Sequence, residues 1–104
     1  MNARPVQFSD AAADDIVRQS DWYAMQADES LAARWETAVT STVLRIADFP
    51  NSGALCNFKK AELRDLRRMA VDDFTKHLIF YRTDGESIFI VRVVYGARDL
   101  ERLI

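Results

Sequence analysis

The chain is poor in the residues that mark several large classes of protein. Its 104 residues include one cysteine, one histidine, three glycines and two prolines. A single cysteine excludes an intrachain disulfide, and with one histidine it falls short of the three or four ligands of a usual zinc site. So few glycines and prolines exclude low-complexity linkers, and no run approaches the roughly 20 apolar residues of a membrane span. We therefore expect one soluble, cytoplasmic domain over residues 1–104, with no metal and no membrane contact.

The charge is nearly balanced, but it is unevenly distributed along the chain. Fourteen Lys and Arg against 16 Asp and Glu give a formal net charge of −2. A general nucleic-acid-binding protein usually carries a stronger basic excess. The second half nevertheless holds a basic cluster, so local contact with RNA stays open. This cluster comprises Lys59, Lys60, Arg64, Arg67 and Arg68.

Two amphipathic segments follow a short strand in the first half of the chain. Val6–Phe8 alternates as a strand does, and Ser9 is placed to cap a helix. Apolar residues then recur at helical spacing to about residue 27. Asp28 restarts a second helix, which Pro50 ends. The short break between the two predicts an antiparallel helix hairpin.

The second half changes to the two-residue period of strands. Leu66–Val71, His77–Thr83 and Ser87–Tyr95 read as strands. The dipeptide Asp84-Gly85 predicts a two-residue hairpin turn between the last two of them. The order β-α-α-β-β-β predicts an α+β fold, in which an N-terminal helix hairpin packs on a small antiparallel sheet.

The predicted hairpin turn also sets which strand residues share a face of the sheet. A two-residue turn pairs Thr83 with Glu86, so that Tyr81 lies opposite Ile88. Both faces are then apolar, whereas two helices cover only about one. Periodicity alone leaves open which face the helices cover.

Several segments, taken in order along the chain, form a recognisable set that covers almost the whole sequence. They are Phe8-Ser9 with Ala12 and Asp15-Ile16, Phe49-Pro50 with Gly53, Leu63–Arg67, Leu78–Arg82 and Ile90–Leu100. Together these segments resemble toxins of the RelE/ParE superfamily, and one departure is Tyr95, where many relatives have His. The resemblance implies the fold of that superfamily, in agreement with the order of elements above.

The resemblance implies one of two activities. RelE-like members cut messenger RNA on the ribosome, whereas ParE-like members act on DNA gyrase, and an antitoxin encoded beside each toxin neutralises it. Leu78 stands where the ribonucleases have a catalytic Arg, and Ile104 where they have a Tyr, although Arg98 is retained. We therefore expect a ParE-like toxin that needs no cofactor, forms a hetero-oligomer with its antitoxin and serves plasmid stabilisation.

The alternative is a metal-independent, ribosome-associated endoribonuclease. Such an enzyme must stabilise charge on the scissile phosphate and move a proton from the 2′-hydroxyl group. Its candidate catalytic residues here are Arg64, Arg67, Tyr95 and Arg98.

The resemblance also indicates which face of the sheet is open. Its regular apolar positions imply that Ile79, Tyr81, Ile88 and Ile90 face the helices, and a bulge near Arg92 limits the assignment. The other face would then expose an apolar patch, and such a patch usually marks an interaction site. The expected antitoxin-binding or target-binding residues are Leu78, Phe80, Arg82, Phe89 and Val91 on this face, together with Arg98.

Overall fold

The computed structural model describes residues 3–96 as a helix hairpin packed on a five-stranded sheet. No helix in this described range is long and apolar enough to cross a membrane. The elements are β1 (Val6–Phe8), α1 (Asp10–Gln26), α2 (Glu29–Asp48), β2 (Ala54–Leu55), β3 (Arg67–Val71), β4 (Phe74–Thr83) and β5 (Ile88–Tyr95).

Side-chain caps start both helices where the sequence predicts them. The Ser9 hydroxyl accepts a hydrogen bond from the Ala12 N–H at 2.9 Å, and the Asp28 carboxylate accepts one from Leu31 N–H at 2.8 Å. Each cap satisfies a backbone donor that has no partner within its own helix. The hairpin is held together where the Trp35 indole N–H donates to the Ile16 carbonyl at 3.1 Å.

The sheet has the strand order β1-β5-β4-β3-β2 and is mixed. The predicted fold class and order of elements are confirmed, but the expectation of a wholly antiparallel sheet is wrong at one edge. Here β1 runs parallel to β5, with Val6 beside Ile88 and Phe8 beside Ile90. Strands so far apart in the chain are not joined by a hairpin, so no short turn forces them to be antiparallel. A two-residue strand, β2, was not predicted at all.

The turn between β4 and β5 is longer than predicted. Thr83 pairs with Ile88, which leaves a four-residue loop and overturns the predicted pairing of Thr83 with Glu86. The Asp84 carboxylate draws the loop together by accepting hydrogen bonds from the N–H groups of Glu86 and Ser87, at 2.8 and 2.9 Å. Such side-chain bonds to the following backbone let Asp build a turn by itself.

The face assignment survives this error. The register shifts by two residues, so Tyr81 lies beside Ile90 instead of Ile88, and a shift of two keeps every side chain on its predicted face. The expectation that the four apolar residues of β4 and β5 face the helices is confirmed. Ile79, Tyr81, Ile88 and Ile90 are buried in one core cluster with Trp35, Val39, Val43 and Ile46 of α2.

The exit of α2 is fastened to the sheet by two side chains on neighbouring strands. The buried Tyr81 hydroxyl donates to the Pro50 carbonyl at 2.8 Å and accepts from the Gly53 N–H at 2.9 Å. Beside it, the Arg67 guanidinium donates to the carbonyls of Asn51 and Gly53 at 3.2 and 2.7 Å. A Cβ atom at Gly53 would lie 2.6 Å from the Tyr81 hydroxyl oxygen, so this close approach requires glycine.

Candidate interaction site

The edge of β5 beyond β1 is the most unusual feature of the sheet. The parallel pairing with β1 covers only Ile88 to Ile90, whereas β5 continues to Tyr95. The chain leaves β1 at this point, since Ser9 N–H donates to Ile90 O at 2.9 Å and α1 begins at the next residue. Among residues 3–96, strand β5 therefore runs on for five residues alongside α1 instead of alongside another strand.

A β-bulge reorients this part of β5. Tyr81 pairs with Ile90, but Phe80 pairs with Arg92, so Val91 is the extra residue. The predicted bulge near Arg92 is thus confirmed. The extra residue at a bulge shifts the alternation of the backbone by one position. Beyond it, a different set of residues points its N–H and C=O groups to each edge of the strand. The Gly96 N–H donates to the Lys76 carbonyl of β4 at 2.7 Å.

The α1 side of β5 is closed at two points by side chains. The Ser9 hydroxyl donates to the Val91 carbonyl at 2.7 Å, and the Val93 N–H donates to the Asp15 carboxylate at 3.0 Å. The same carboxylate accepts two hydrogen bonds from the Arg92 guanidinium, both at 2.8 Å. The pair is mostly buried, and the bond to Asp15 raises the pKa of Arg92.

Beyond Asp15, α1 and the end of β5 diverge and leave a groove of about 600 Å³. The residues that α1 contributes recur at the spacing of a single helical face. Two aromatic rings of this groove are well exposed, Trp22 at 55 % and Tyr95 at 67 %. The lining residues are Asp15, Arg18, Gln19, Trp22, Tyr23, His77, Val93, Val94 and Tyr95.

The floor of this groove, which we call the α1–β5 groove, contains a buried histidine. His77 Nε2 lies 3.1 Å from the Tyr23 hydroxyl oxygen, and its ring centroid lies 5.1 Å from that of Tyr95. Burial lowers the pKa of His77 and raises that of Tyr23, because both charged forms lose solvation. Both groups are therefore neutral near pH 7.

The predicted open-face patch is only partly open. Phe80 is 1 % exposed, so the expectation that it is a surface residue is wrong. Its ring lies 6.4 Å from that of Phe58, in the segment between β2 and β3, which covers this part of the face. Leu78 and Val91 are half-buried, and Phe89 is 37 % exposed. Arg82 pairs with Phe89 near the loop that joins β4 to β5, and its guanidinium donates to the Glu62 carbonyl at 2.9 Å.

The candidate ribonuclease residues do not come together within the described range. Arg67 pairs with Tyr81 of β4, and Tyr95 pairs with His77 of the same strand. Four residues of β4, about 13 Å, therefore separate Arg67 from Tyr95 along the strand direction. The Arg67 guanidinium already serves the loop after α2. Arg64 is exposed and donates to the Lys59 carbonyl at 3.2 Å. Arg98 lies outside the described residues.

Neither a nucleophilic thiol nor a metal site is built in residues 3–96. Burial raises the pKa of the half-buried Cys56 thiol, which disfavours the reactive thiolate. No group of three or more His, Cys, Asp or Glu side chains in this range is arranged to hold a metal ion.

Sequence reasoning missed the α1 side of the groove. The sequence assigned no role to Arg18 or Trp22, and Asp15 entered only as part of the family resemblance. Their spacing along α1 was the available signal, but it identifies a face without saying what the face adjoins. The contact between Asp15 and Val93 joins residues 78 positions apart.

The comparisons with known proteins give a family match and a solved structure with the same fold. Residues 6–100 match the family model described as the ParE toxin of the type II toxin-antitoxin system, parDE. A solved structure titled "Chromosomal ParDE TA system from P. aeruginosa" contains a chain with the same fold, at a TM-score of 0.73 and 17 % identity. The alignment covers 91 % of this chain and 98 % of that one. No curated protein matches the sequence. Because the family model spans most of its length, the chain belongs to the ParE toxin family of type II toxin-antitoxin systems.

Proposed function

We propose that this ParE-family toxin acts in the cytoplasm by binding DNA gyrase and inhibiting it, and that a cognate antitoxin neutralises it in a hetero-oligomer. The observation that carries the proposal is the family match over residues 6–100. The identity of the target rests on resemblance to ParE-like toxins. An association with plasmid stabilisation belongs to the same proposal.

The geometry of the described residues supports protein binding over RNA cleavage. Cleavage without a metal needs a proton-transfer group and cations that converge on one phosphate. Arg67 is committed to two backbone carbonyls, and Tyr95 lies about 13 Å further along the sheet. Leu78, which stands in place of the ribonuclease Arg, is apolar and half-buried.

We also propose that the remaining open face takes part in binding the antitoxin or the target. Phe89 is the most exposed member of the predicted apolar set, and Arg82 lies beside it across the hairpin. Phe89→Asp tests the surface, since a charge in place of a desolvated aromatic anchor weakens binding strongly. The exposed Phe49→Asp, on another surface, is the matched control. Unchanged affinity for both antitoxin and gyrase would contradict this assignment.

The alternative activity, ribosome-dependent cleavage of messenger RNA, has one observation in its favour. Tyr95 is 67 % exposed and its ring packs against the buried His77, so an exposed phenol lies next to an imidazole. This pair includes one of the residues that the sequence offers for catalysis, and Arg98 offers a cation.

The deciding experiment compares both activities in the same cells. The chain is expressed alone in bacteria, and DNA-damage signalling and message integrity are followed over time. Filamentation with damage signalling and intact messages supports gyrase as the target, whereas rapid cleavage within codons supports the ribonuclease. Purified gyrase with the purified chain should then lose supercoiling activity. Arg98→Ala is expected to reduce toxicity under either mechanism. Tyr95→Phe separates the two mechanisms, because it removes only the hydroxyl group that the ribonuclease would use.

A further inference from the structure

In the part of the chain that the structure describes, the α1–β5 groove contains a strand edge without a partner strand. The Gly96 N–H bonds to β4. Because the N–H and C=O groups of successive strand residues point to opposite edges, those of Val94 and Arg92 also point toward β4. Those of Val93 and Tyr95 therefore point toward α1. Within residues 3–96, the bonds seen on that side are those of the Val91 carbonyl and the Val93 N–H to side chains. The Val93 carbonyl and the Tyr95 N–H face the groove beyond them.

Side chains stand in for a strand at the two closed points. The Asp15 carboxylate accepts from Val93 N–H as the carbonyl of a neighbouring strand would, and the Ser9 hydroxyl donates to Val91 O as an N–H would. Proteins protect free strand edges with charged side chains in this manner. Protection ends at Val93, whereas the groove extends to Tyr95, which is one of its lining residues.

The chemistry of the lining specifies the occupant further. An extended peptide presents N–H and C=O groups at the spacing of the edge, and its alternate side chains enter pockets beside it. Trp22 and Tyr95 offer exposed aromatic surface, which is typical of the anchor points of protein interfaces. Arg18 is exposed at the rim, and its guanidinium makes no ion pair with any residue from 3 to 96. This rim favours an acidic side chain.

We propose that the β5 edge at Val93–Tyr95 accepts an extended strand of the antitoxin, with apolar side chains on Trp22 and Tyr95 and an acidic side chain at Arg18. The proposal rests on the proposed function, because it takes the antitoxin as the partner. The incoming strand continues the line of β1 along β5. It bonds to the backbone of Tyr95, so part of the recognition is independent of side chains in this chain.

The first test measures the backbone directly. The full chain is purified with and without the product of the gene adjacent to its own, and amide hydrogen exchange is followed residue by residue. We expect exchange of the Tyr95 N–H to slow at least 100-fold in the complex. A complex that forms with no change at Tyr95 overturns strand addition while leaving antitoxin binding intact. Absence of any complex contradicts the proposed function instead.

A substitution pair separates the backbone from the ring. Tyr95→Pro removes both the ring and the N–H, whereas Tyr95→Ala removes the ring alone. The Tyr95 N–H points away from β4, and proline favours an extended preceding residue, so the ladder to β4 is retained. We expect Tyr95→Pro to bind the antitoxin at least 10-fold more weakly than Tyr95→Ala. Equal affinities would overturn the proposal, and thermal unfolding checks that both variants fold.

Two charge-reversing substitutions test the rim of the α1–β5 groove. Arg18→Glu is expected to weaken antitoxin binding at least 10-fold, and the exposed Arg34→Glu on α2 is the control. Equal effects of the two substitutions would mean that only net charge matters, which contradicts an acidic contact at Arg18. The proposal is also refuted if the antitoxin does not slow amide hydrogen exchange in the groove, whereas a second copy of this chain, or RNA added in place of the antitoxin, does.

Discussion

Replacing Tyr81 by Phe tests how the exit of α2 is held. The substitution removes one oxygen atom from a fully buried side chain and leaves the ring in the core. That oxygen donates to the Pro50 carbonyl and accepts from the Gly53 N–H, at 2.8 and 2.9 Å. Both backbone groups lose their side-chain partner in the variant.

The expected loss follows from those two bonds. A buried polar group left without a partner costs about 1–3 kcal/mol, and rearrangement of the loop recovers part of it. We therefore expect Tyr81→Phe to lower the free energy of unfolding by about 2–4 kcal/mol. For a domain of this size each kcal/mol lowers the melting temperature by about 4–8 °C, which predicts a fall of about 8–32 °C.

Urea unfolding followed by circular dichroism measures this difference. Tyr95→Phe is the matched control, because it makes the same chemical change at an exposed ring and should alter stability by less than about 0.5 kcal/mol. If Tyr81→Phe loses no more than its control, the hydroxyl does not hold the loop, and the reasoning fails. Gly53→Ala provides an independent check, since its Cβ would clash with the same hydroxyl oxygen.

Three further predictions concern single side chains. Asp15→Ala removes three hydrogen bonds from a mostly buried carboxylate and should cost about 1–3 kcal/mol in urea unfolding, whereas the exposed Asp14→Ala should cost almost nothing. Burial lowers the pKa of His77 in the folded chain below 6.5, so the unfolded chain takes up a proton first and stability falls as pH drops below 6.5. His77→Gln should flatten that dependence, and an unchanged slope would refute the cause. Because burial raises the pKa of Cys56, iodoacetamide should modify it at pH 7 more slowly than it modifies a cysteine in a short peptide, and an equal rate would contradict this.

Local signals in the sequence were enough for the two helices, for the four longer strands and for the faces of those strands. Ser9 and Asp28 cap the helices through bonds to residues three positions away, and such bonds depend on little else. The two-residue period of the strands placed Ile79 and Tyr81 on one face and Phe80 on the other. That assignment survived a wrong register because the error was an even number of residues.

The hairpin and the open face show where local reasoning stops. Asp84-Gly85 suggested a two-residue turn, but the bonds that Asp84 makes to Glu86 and Ser87 favour a four-residue loop. Whether Phe80 was exposed depended on Phe58, 22 positions earlier in an irregular segment. No periodicity describes where such a segment lies.

The sequence by itself therefore determined the order of the two helices and four longer strands, the helix caps and the strand faces, since each depends on bonds or spacings within a few residues. The tertiary structure alone decided the parallel pairing of β1 with β5 and the groove beyond it. Both bring together residues far apart in the chain, Phe8 with Ile90 at 82 positions and Asp15 with Val93 at 78. Such contacts depend on how the whole chain closes on itself, because the net gain of each is small beside the entropy of ordering the chain between them.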